Sequence, residues 1–167
     1  MMRFAESSQS APTNESPWPA DAARTVRALM EQGSPVTFQA GGRSMHPVIR
    51  DGDTVRVRPA GPDDFRRGAV MLFAVRERLI LHRLLRQESR SGMCVMAGDA
   101  RLGSEEILPA SDIHGVAEWV RRGERLIRLD TFRARQWGLM RRRIRTLRAY
   151  AGSVLRRRGR PPSEDNA

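Results

Sequence analysis

The sequence predicts a mainly β fold: an antiparallel β-ribbon or partly open barrel, with a short N-terminal helix and a basic C-terminal helix. Three observations predict it. Seven short apolar segments follow one another without a long helix between them, and Gly, Pro and Asp residues separate them as turn signals. One helical pattern precedes the segments, and the apolar spacing becomes helical again after about residue 131.

The chain divides into four parts by composition. Residues 1–19 are rich in Ser, Pro and Asn, which predicts a disordered lead-in. We expect one β-domain over 20–130, beginning with a helix at 20–33. A basic amphipathic helix follows over 131–158, and 159–167 is predicted to be a disordered tail.

The strands of this domain are predicted to be short and joined by hairpins. Thr54–Arg58 alternates with its two valines on one face, as a half-buried strand does. The seven predicted strands are Val36–Ala40, Thr54–Arg58, Ala69–Val75, Leu79–Leu85, Met93–Ala97, Ile113–Val120 and Arg125–Leu129.

The positive charge is concentrated in the C-terminal part. All 30 basic residues are Arg, against 19 acidic residues, and the net charge is +11. The segment Arg121–Arg160 holds fifteen Arg and two acids, a net +13, which leaves −2 for the rest of the chain. We therefore expect a near-neutral β-domain with a basic appendage that could meet a polyanionic partner.

In that appendage, one apolar stripe with four- and three-residue spacing is formed by Met140, Ile144, Leu147, Ala151 and Val154. Arg residues occupy the other faces, so the helix could lie on an anionic membrane surface. The alternative is that the stripe packs on the β-domain, and nucleic acid is the less favoured partner.

Several classes are excluded or disfavoured by composition. No segment has the roughly 18 consecutive apolar residues of a transmembrane helix, and the N-terminus lacks the apolar stretch of a secretory signal. We expect a cytoplasmic chain, free or peripheral on the inner membrane face. Cys94 is the single cysteine, so no intrachain disulfide or thiolate zinc site is expected, and neither is any other metal or cofactor.

Three segments contain residues that could carry chemistry. Ser44 lies at a Gly-rich turn, His82 lies inside an apolar strand, and Asp99 follows Gly98 at the end of another strand. A hydroxyl, an imidazole and a carboxylate are the three groups of a Ser–His–acid arrangement. Taken singly, each has a structural alternative: a turn residue, a core histidine and a turn-capping aspartate.

Together these segments resemble the type I signal peptidases and the related LexA-type self-cleaving domains. Gly-x-Ser-Met-x-Pro at 42–47, followed by Gly52-Asp53 and an alternating strand, is similar to the nucleophile box of that group. The stretch 67–73 is similar to the strand that follows the box, with Ala69 where the family usually has Asp. The resemblance covers about 36–120 and implies the signal peptidase/LexA fold and serine endopeptidase activity.

The absence of Lys decides which base such an enzyme could use. A Ser–Lys dyad is excluded, because Arg does not release its proton at working pH. The histidines are His46, His82 and His114, and the Leu81-His82-Arg83 sequence is similar to the base motif of the endoplasmic-reticulum-type, histidine-base members. The resemblance therefore implies that His82 is the base.

The same resemblance implies the remaining site residues. Ser44 is the nucleophile and Asp99 the third member, with Glu105 or Glu106 as alternatives because the histidine-type relatives have a further acid downstream of the Gly-Asp turn. Substrate is expected at Gly42, Arg43 and Met45. Because Gly42 replaces a serine that helps some members to bind the oxyanion, the donors would be backbone N–H groups, chiefly that of Ser44.

The predicted function is cleavage of a peptide leader or precursor by a Ser–His mechanism. The substrate would pair in extended form beside Val36–Ala40, with small residues before the scissile bond as the resemblance implies. The alternative is a LexA-like self-cleaving or non-catalytic regulatory module. Only one helix is predicted before the β-region, which disfavours an N-terminal helix-turn-helix.

Overall fold

The structure is a computed structural model that describes residues 20–75, 78–100 and 103–158. Side chains at 20–21 and 148–158 lie outside this description. The predicted disordered segments at 1–19 and 159–167 also lie outside the described residues.

The predicted mainly β fold is confirmed. In the described residues eight strands form one antiparallel sheet, curled into an open half-barrel, with one helix before it and one after it. The elements are α1 (Ala20–Glu31), β1 (Val36–Gln39), β2 (Thr54–Pro59), β3 (Val70–Val75), β4 (Arg78–Gln87), β5 (Met93–Ala97), β6 (Glu105–Pro109), β7 (Ile113–Arg122), β8 (Arg125–Arg128) and α2 (Phe132–Arg158). The strand order is β1-β2-β7-β3-β4-β5-β6, and β8 pairs with β7.

Strand β6 is the element that the sequence did not predict. Its five residues include two glutamates and a terminal proline, which are poor strand formers. It lies at the end of the sheet path and pairs with β5, with Glu106 opposite Met96. An edge position tolerates such residues because one side of the strand needs no partner.

The core consists of two buried apolar clusters. The first lies beneath α1, whose Val26 and Met30 are buried against Val55 and Val57 of β2. The second lies among β3, β4 and β5 and includes Phe73 and the single cysteine. Cys94 is fully buried and therefore acts as a small core side chain, and this burial raises the pKa of its thiol.

Helix α2 packs on the β-domain through one face. A Cβ added at Gly138 would lie 2.2 Å from Cζ of Arg83, so only glycine lets the helix backbone approach that guanidinium. On the same face, Leu139 meets Gly68 at the start of β3. Within the described residues, no helix is long and apolar enough to span a membrane.

Candidate active site

The predicted nucleophile, Ser44, lies half-buried in the turn that joins β1 to β2. The turn starts at Gly42, whose φ of 86° is a left-handed conformation that favours glycine. The Gly42 N–H donates to Oδ1 of Asp51 at 2.8 Å. This bond closes the loop across nine residues and fixes the entrance to the Ser44 turn.

An ion pair holds the exit of the same turn. Arg122 at the end of β7 donates to both carboxylate oxygens of Asp53, at 2.9 and 2.7 Å, and also to the Val48 carbonyl at 3.1 Å. The Arg50 N–H donates to Asp53 at 2.7 Å. Burial acts to raise the pKa of Asp53, but these hydrogen bonds outweigh it and hold the pKa below its ordinary value. The pair was not predicted, because nothing in the sequence links residues 69 positions apart.

The predicted base, His82, lies on β4 and is 6% exposed. Its Nδ1 is 2.8 Å from Oε2 of Glu106 on β6. The edge of its ring meets Phe73, with ring centroids 6.0 Å apart and planes at 66°. The carboxylate and the phenyl ring together fix the orientation of the imidazole.

Gly98 brings the nucleophile turn and the histidine together. The Ala100 N–H donates to the Ser44 carbonyl at 2.7 Å, which ties the turn after β5 to the Ser44 turn. A Cβ added at Gly98 would lie 2.6 Å from the Ser44 carbonyl oxygen and 3.0 Å from Nε2 of His82. The Ser44 backbone and the outer imidazole nitrogen therefore border the same small space, which is left open by the missing side chain.

The structure does not bring Asp99 to His82, which corrects the prediction that Asp99 is the third member. Both of its carboxylate oxygens accept from the Arg83 guanidinium, at 2.8 and 2.6 Å, and both side chains are almost fully buried. Successive residues of a strand point to opposite faces, so His82 and Arg83 diverge and Asp99 lies on the side of Arg83. The aspartate is part of a buried structural ion pair.

The two glutamates of β6 are in different environments. Glu106 accepts from His82, whereas Glu105 lies 4.0 Å from Arg142 of α2 and its side chain is 45% exposed. Alternation along the strand separates them onto opposite faces. Of the three acids considered from the sequence, the structure therefore places Glu106 at the histidine.

Of the three predicted substrate-binding residues, only Arg43 has an exposed side chain. Met45 is buried among core residues such as Ile49 and Val55. The Gly42 N–H is already bonded to Asp51.

The other two histidines lie in different surroundings. His46 is exposed in the Ser44 turn, and His114 borders a cavity of about 430 Å³ beside Arg27 and Glu31 of α1. Burial lowers the pKa of His114, and the charge of Arg27 lowers it further. Among the described residues, no group of three or more His, Cys, Asp or Glu side chains could hold a metal ion.

A comparison with protein families decides the broader assignment. The profile of the Peptidase S24-like family matches residues 9–117, which is more than half of the chain. The chain belongs to the Peptidase S24-like family. This membership confirms the LexA/signal peptidase superfamily that the motifs resembled, and the curled sheet agrees with the fold of the family. The matched region includes Ser44, His82 and Glu106. No curated protein matches the chain.

Proposed function

We propose that this Peptidase S24-like chain is a serine endopeptidase in which Ser44 is the nucleophile, His82 the general base and Glu106 the acid that orients the base. The observation that carries the proposal is the hydrogen bond between His82 and Glu106, with the other nitrogen of the ring bordering the Ser44 turn. Support comes from three segments far apart in sequence: Glu106 contacts His82, and the Ser44 carbonyl and His82 Nε2 border the same space at Gly98.

The carboxylate determines the useful tautomer of the histidine. Because Glu106 is an acceptor when ionised, the neutral imidazole donates its Nδ1–H to it and keeps a lone pair on Nε2. That lone pair is on the side of Gly98 and Ser44. The same carboxylate then stabilises the imidazolium that forms when the ring accepts a proton.

The first half of the reaction forms an acyl-enzyme. Ser44 Oγ attacks the scissile carbonyl carbon while His82 Nε2 accepts the hydroxyl proton. The developing oxyanion receives a hydrogen bond from the Ser44 N–H. When the tetrahedral intermediate collapses, the C–N bond breaks and the imidazolium returns its proton to the departing amine.

The second half releases the acyl group. A water molecule attacks the Ser44 ester while His82 Nε2 accepts its proton, and the proton then passes to Ser44 Oγ as the ester bond breaks. The product leaves as a carboxylic acid that loses its proton to solvent, and the enzyme returns to its starting protonation state. The nearly complete burial of His82 supports both steps, since it limits competing hydrogen bonds from bulk water.

The substrate is proposed to add as an extended strand beside β1. In the described sheet β1 is the first strand of the path and pairs only with β2, so its other edge can receive a peptide. The chain leaves β1 directly into the Ser44 turn, which would bring the scissile bond of a bound peptide to the nucleophile. By resemblance to signal peptidases, small residues precede the bond and the substrate is a leader or precursor peptide.

The proposal assigns the chain to the histidine-base subgroup of the superfamily. Its support is chemical: the sequence contains no lysine, and the buried residue beside the Ser44 turn is a histidine held by a carboxylate. A histidine with a carboxylate partner is a complete general base and needs no lysine.

The test is cleavage of a diverse peptide mixture, with products identified by mass spectrometry for the wild type and for Ser44→Ala. The proposal predicts new termini that depend on Ser44 and follow small residues. Ser44-dependent cleavage of the chain itself, with the peptides left intact, would instead favour the LexA-like self-cleaving alternative. Absence of any Ser44-dependent product from the folded protein would favour a non-catalytic binding module.

A further inference from the structure

Helix α2 exposes a continuous apolar stripe to solvent. The stripe consists of Trp137, Met140, Ile144 and Leu147, which are 54%, 52%, 43% and 68% exposed. Their spacing of three, four and three residues places them on one side of the helix. Four large apolar side chains in one row are more than the isolated exposed residues of an ordinary surface, so the stripe is a candidate contact surface.

None of these four side chains faces the β-domain, whereas Ala151 and Val154 of the predicted stripe lie outside the described side chains. The opposite side of α2 makes the contacts with the domain: Gly138 lies against Arg83, Leu139 against Gly68, and Arg142 donates to the Gly98 carbonyl at 2.6 Å. These positions are roughly half a turn from the stripe. Because packing on the domain uses one face, the stripe remains available for another partner.

The charges around the stripe are of one sign. The sequence of α2 contains ten Arg and no Asp or Glu. Exposed Arg141 and Arg143 flank the stripe, and the Arg141 guanidinium lies 5.0 Å from the centroid of the Trp137 ring. An apolar row whose flanking charges are all guanidinium groups is complementary to a surface that is apolar inside and anionic at its boundary.

A second copy of the chain fits these charges poorly. The stripe has the three-four spacing of a coiled-coil seam, but the flanking positions would bring Arg141 and Arg143 of one helix against Arg residues of the other. Like charges at those positions oppose pairing. Nucleic acid is also a poor fit, since phosphate binding needs the Arg residues but not the exposed aliphatic row between them.

We propose that the stripe of α2 lies in the interface of an anionic membrane, with Trp137, Met140, Ile144 and Leu147 among the acyl chains and the flanking Arg residues at the lipid phosphates. The opposite face of the helix touches Gly98 and Asp99, the turn that borders the candidate active site. A helix with side chains is about 10–12 Å across. Membrane docking would therefore hold that turn about one helix diameter from the lipid surface, where a membrane-bound precursor peptide could reach it.

The test is vesicle flotation of the full chain with phosphatidylcholine vesicles and with vesicles of phosphatidylcholine and phosphatidylglycerol. The variant is the double substitution Met140→Ser with Leu147→Ser, at exposed positions where the fold should be unaffected. The control is Leu126→Ser on β8, which removes a side chain of similar exposure, 54%, from another surface. Far-UV circular dichroism checks that all three proteins are folded.

The wild type and Leu126→Ser are expected to float with the anionic vesicles. The double variant is expected to bind these vesicles at least about tenfold more weakly. Binding to neutral vesicles should be weaker, on the order of fivefold for each Arg that contacts the surface. Failure of the folded wild type to bind anionic vesicles would overturn the proposal, as would equal binding by the double variant. A dimer that depends on Met140 and Leu147 and forms without vesicle binding would identify a second copy of the chain as the occupant. Nucleic-acid binding without vesicle binding would also overturn the membrane proposal.

Discussion

Nδ1 of His82 lies 2.8 Å from Oε2 of Glu106, so a buried imidazole on β4 is held by a carboxylate from the sheet edge. In the proposed mechanism the carboxylate accepts the Nδ1–H of the neutral ring, and Nε2, which lies near the Ser44 carbonyl, keeps its lone pair.

The first prediction concerns the two neighbouring glutamates of β6. Glu106→Gln should lower the rate of Ser44 acylation by roughly 10²–10⁴-fold, because the amide no longer fixes the tautomer or stabilises the imidazolium. Glu105→Gln is the matched control and should stay within about threefold of the wild type, since Glu105 faces Arg142. The measurement is the rate of acylation by a serine-reactive probe. Equal rates for the two variants would remove Glu106 from the mechanism.

The second prediction separates Asp99 from the chemistry. Asp99→Asn should lower the free energy of unfolding by about 3–5 kcal/mol, because it leaves the buried Arg83 guanidinium without its counter-charge. Urea unfolding measures this, with Asp63→Asn at an exposed position as the control expected to change little. The protein that remains folded should acylate at nearly the wild-type rate. A folded Asp99→Asn protein with a thousandfold slower acylation would restore the aspartate to the triad.

The third prediction concerns Gly98. In Gly98→Ala the new methyl group would meet the Ser44 carbonyl oxygen at 2.6 Å and His82 Nε2 at 3.0 Å, so the nucleophile turn and the base must separate. We expect a destabilisation of about 1–3 kcal/mol and a large loss of acylation rate. Gly61→Ala is the control, because a methyl group there would meet only Asp64, at an ordinary 3.7 Å. Wild-type acylation by Gly98→Ala would show that the two groups do not depend on this close approach.

The fourth prediction is a loss of stability in acid through Asp53. Its pKa is held below the ordinary 3.8 by Arg122 and the Arg50 N–H, despite burial, which acts to raise it. A lowered folded-state pKa means that the stabilisation is complete above about pH 3.8 and is lost as the pH falls through the folded-state value. Asp53→Asn should therefore be less stable by about 1–3 kcal/mol at neutral pH. Urea titrations should show the difference narrowing in acid, and a constant difference across this range would contradict the linkage.

Much of the fold was predictable because short alternating segments predict strands, and Gly-containing segments between them predict turns. Thr54–Pro59 and Met93–Ala97 were predicted to within a residue. Strand β6 was missed because its local preferences oppose a strand, and its pairing with β5 at a sheet edge overrides them. Such an edge strand forms because it pairs with a neighbouring strand, and the local sequence pattern does not show that pairing.

The site was predictable as a set of segments but not as a set of contacts. Motif order pointed to Ser44 and His82, and in the structure the Ser44 carbonyl oxygen and His82 Nε2 border the same small space, where a Gly98 side chain would lie. Asp99 was assigned to His82 because the sequence does not show which β4 side chain the turn after β5 reaches, and in the structure that side chain is Arg83. Two further contacts join residues that are far apart in sequence: the Arg122–Asp53 pair and the contact of Arg142 with Gly98. Local sequence patterns do not predict such contacts.

The most direct test of the central claim is intact-mass labelling with a serine-reactive acylating probe, comparing the wild type with Ser44→Ala and His82→Ala. One adduct is expected on the wild type, mapped to Ser44 by peptide sequencing, and none on either folded variant over the same time. Equal labelling of the three proteins, or no labelling of the folded wild type, would contradict an activated Ser44 and with it the proposed peptidase.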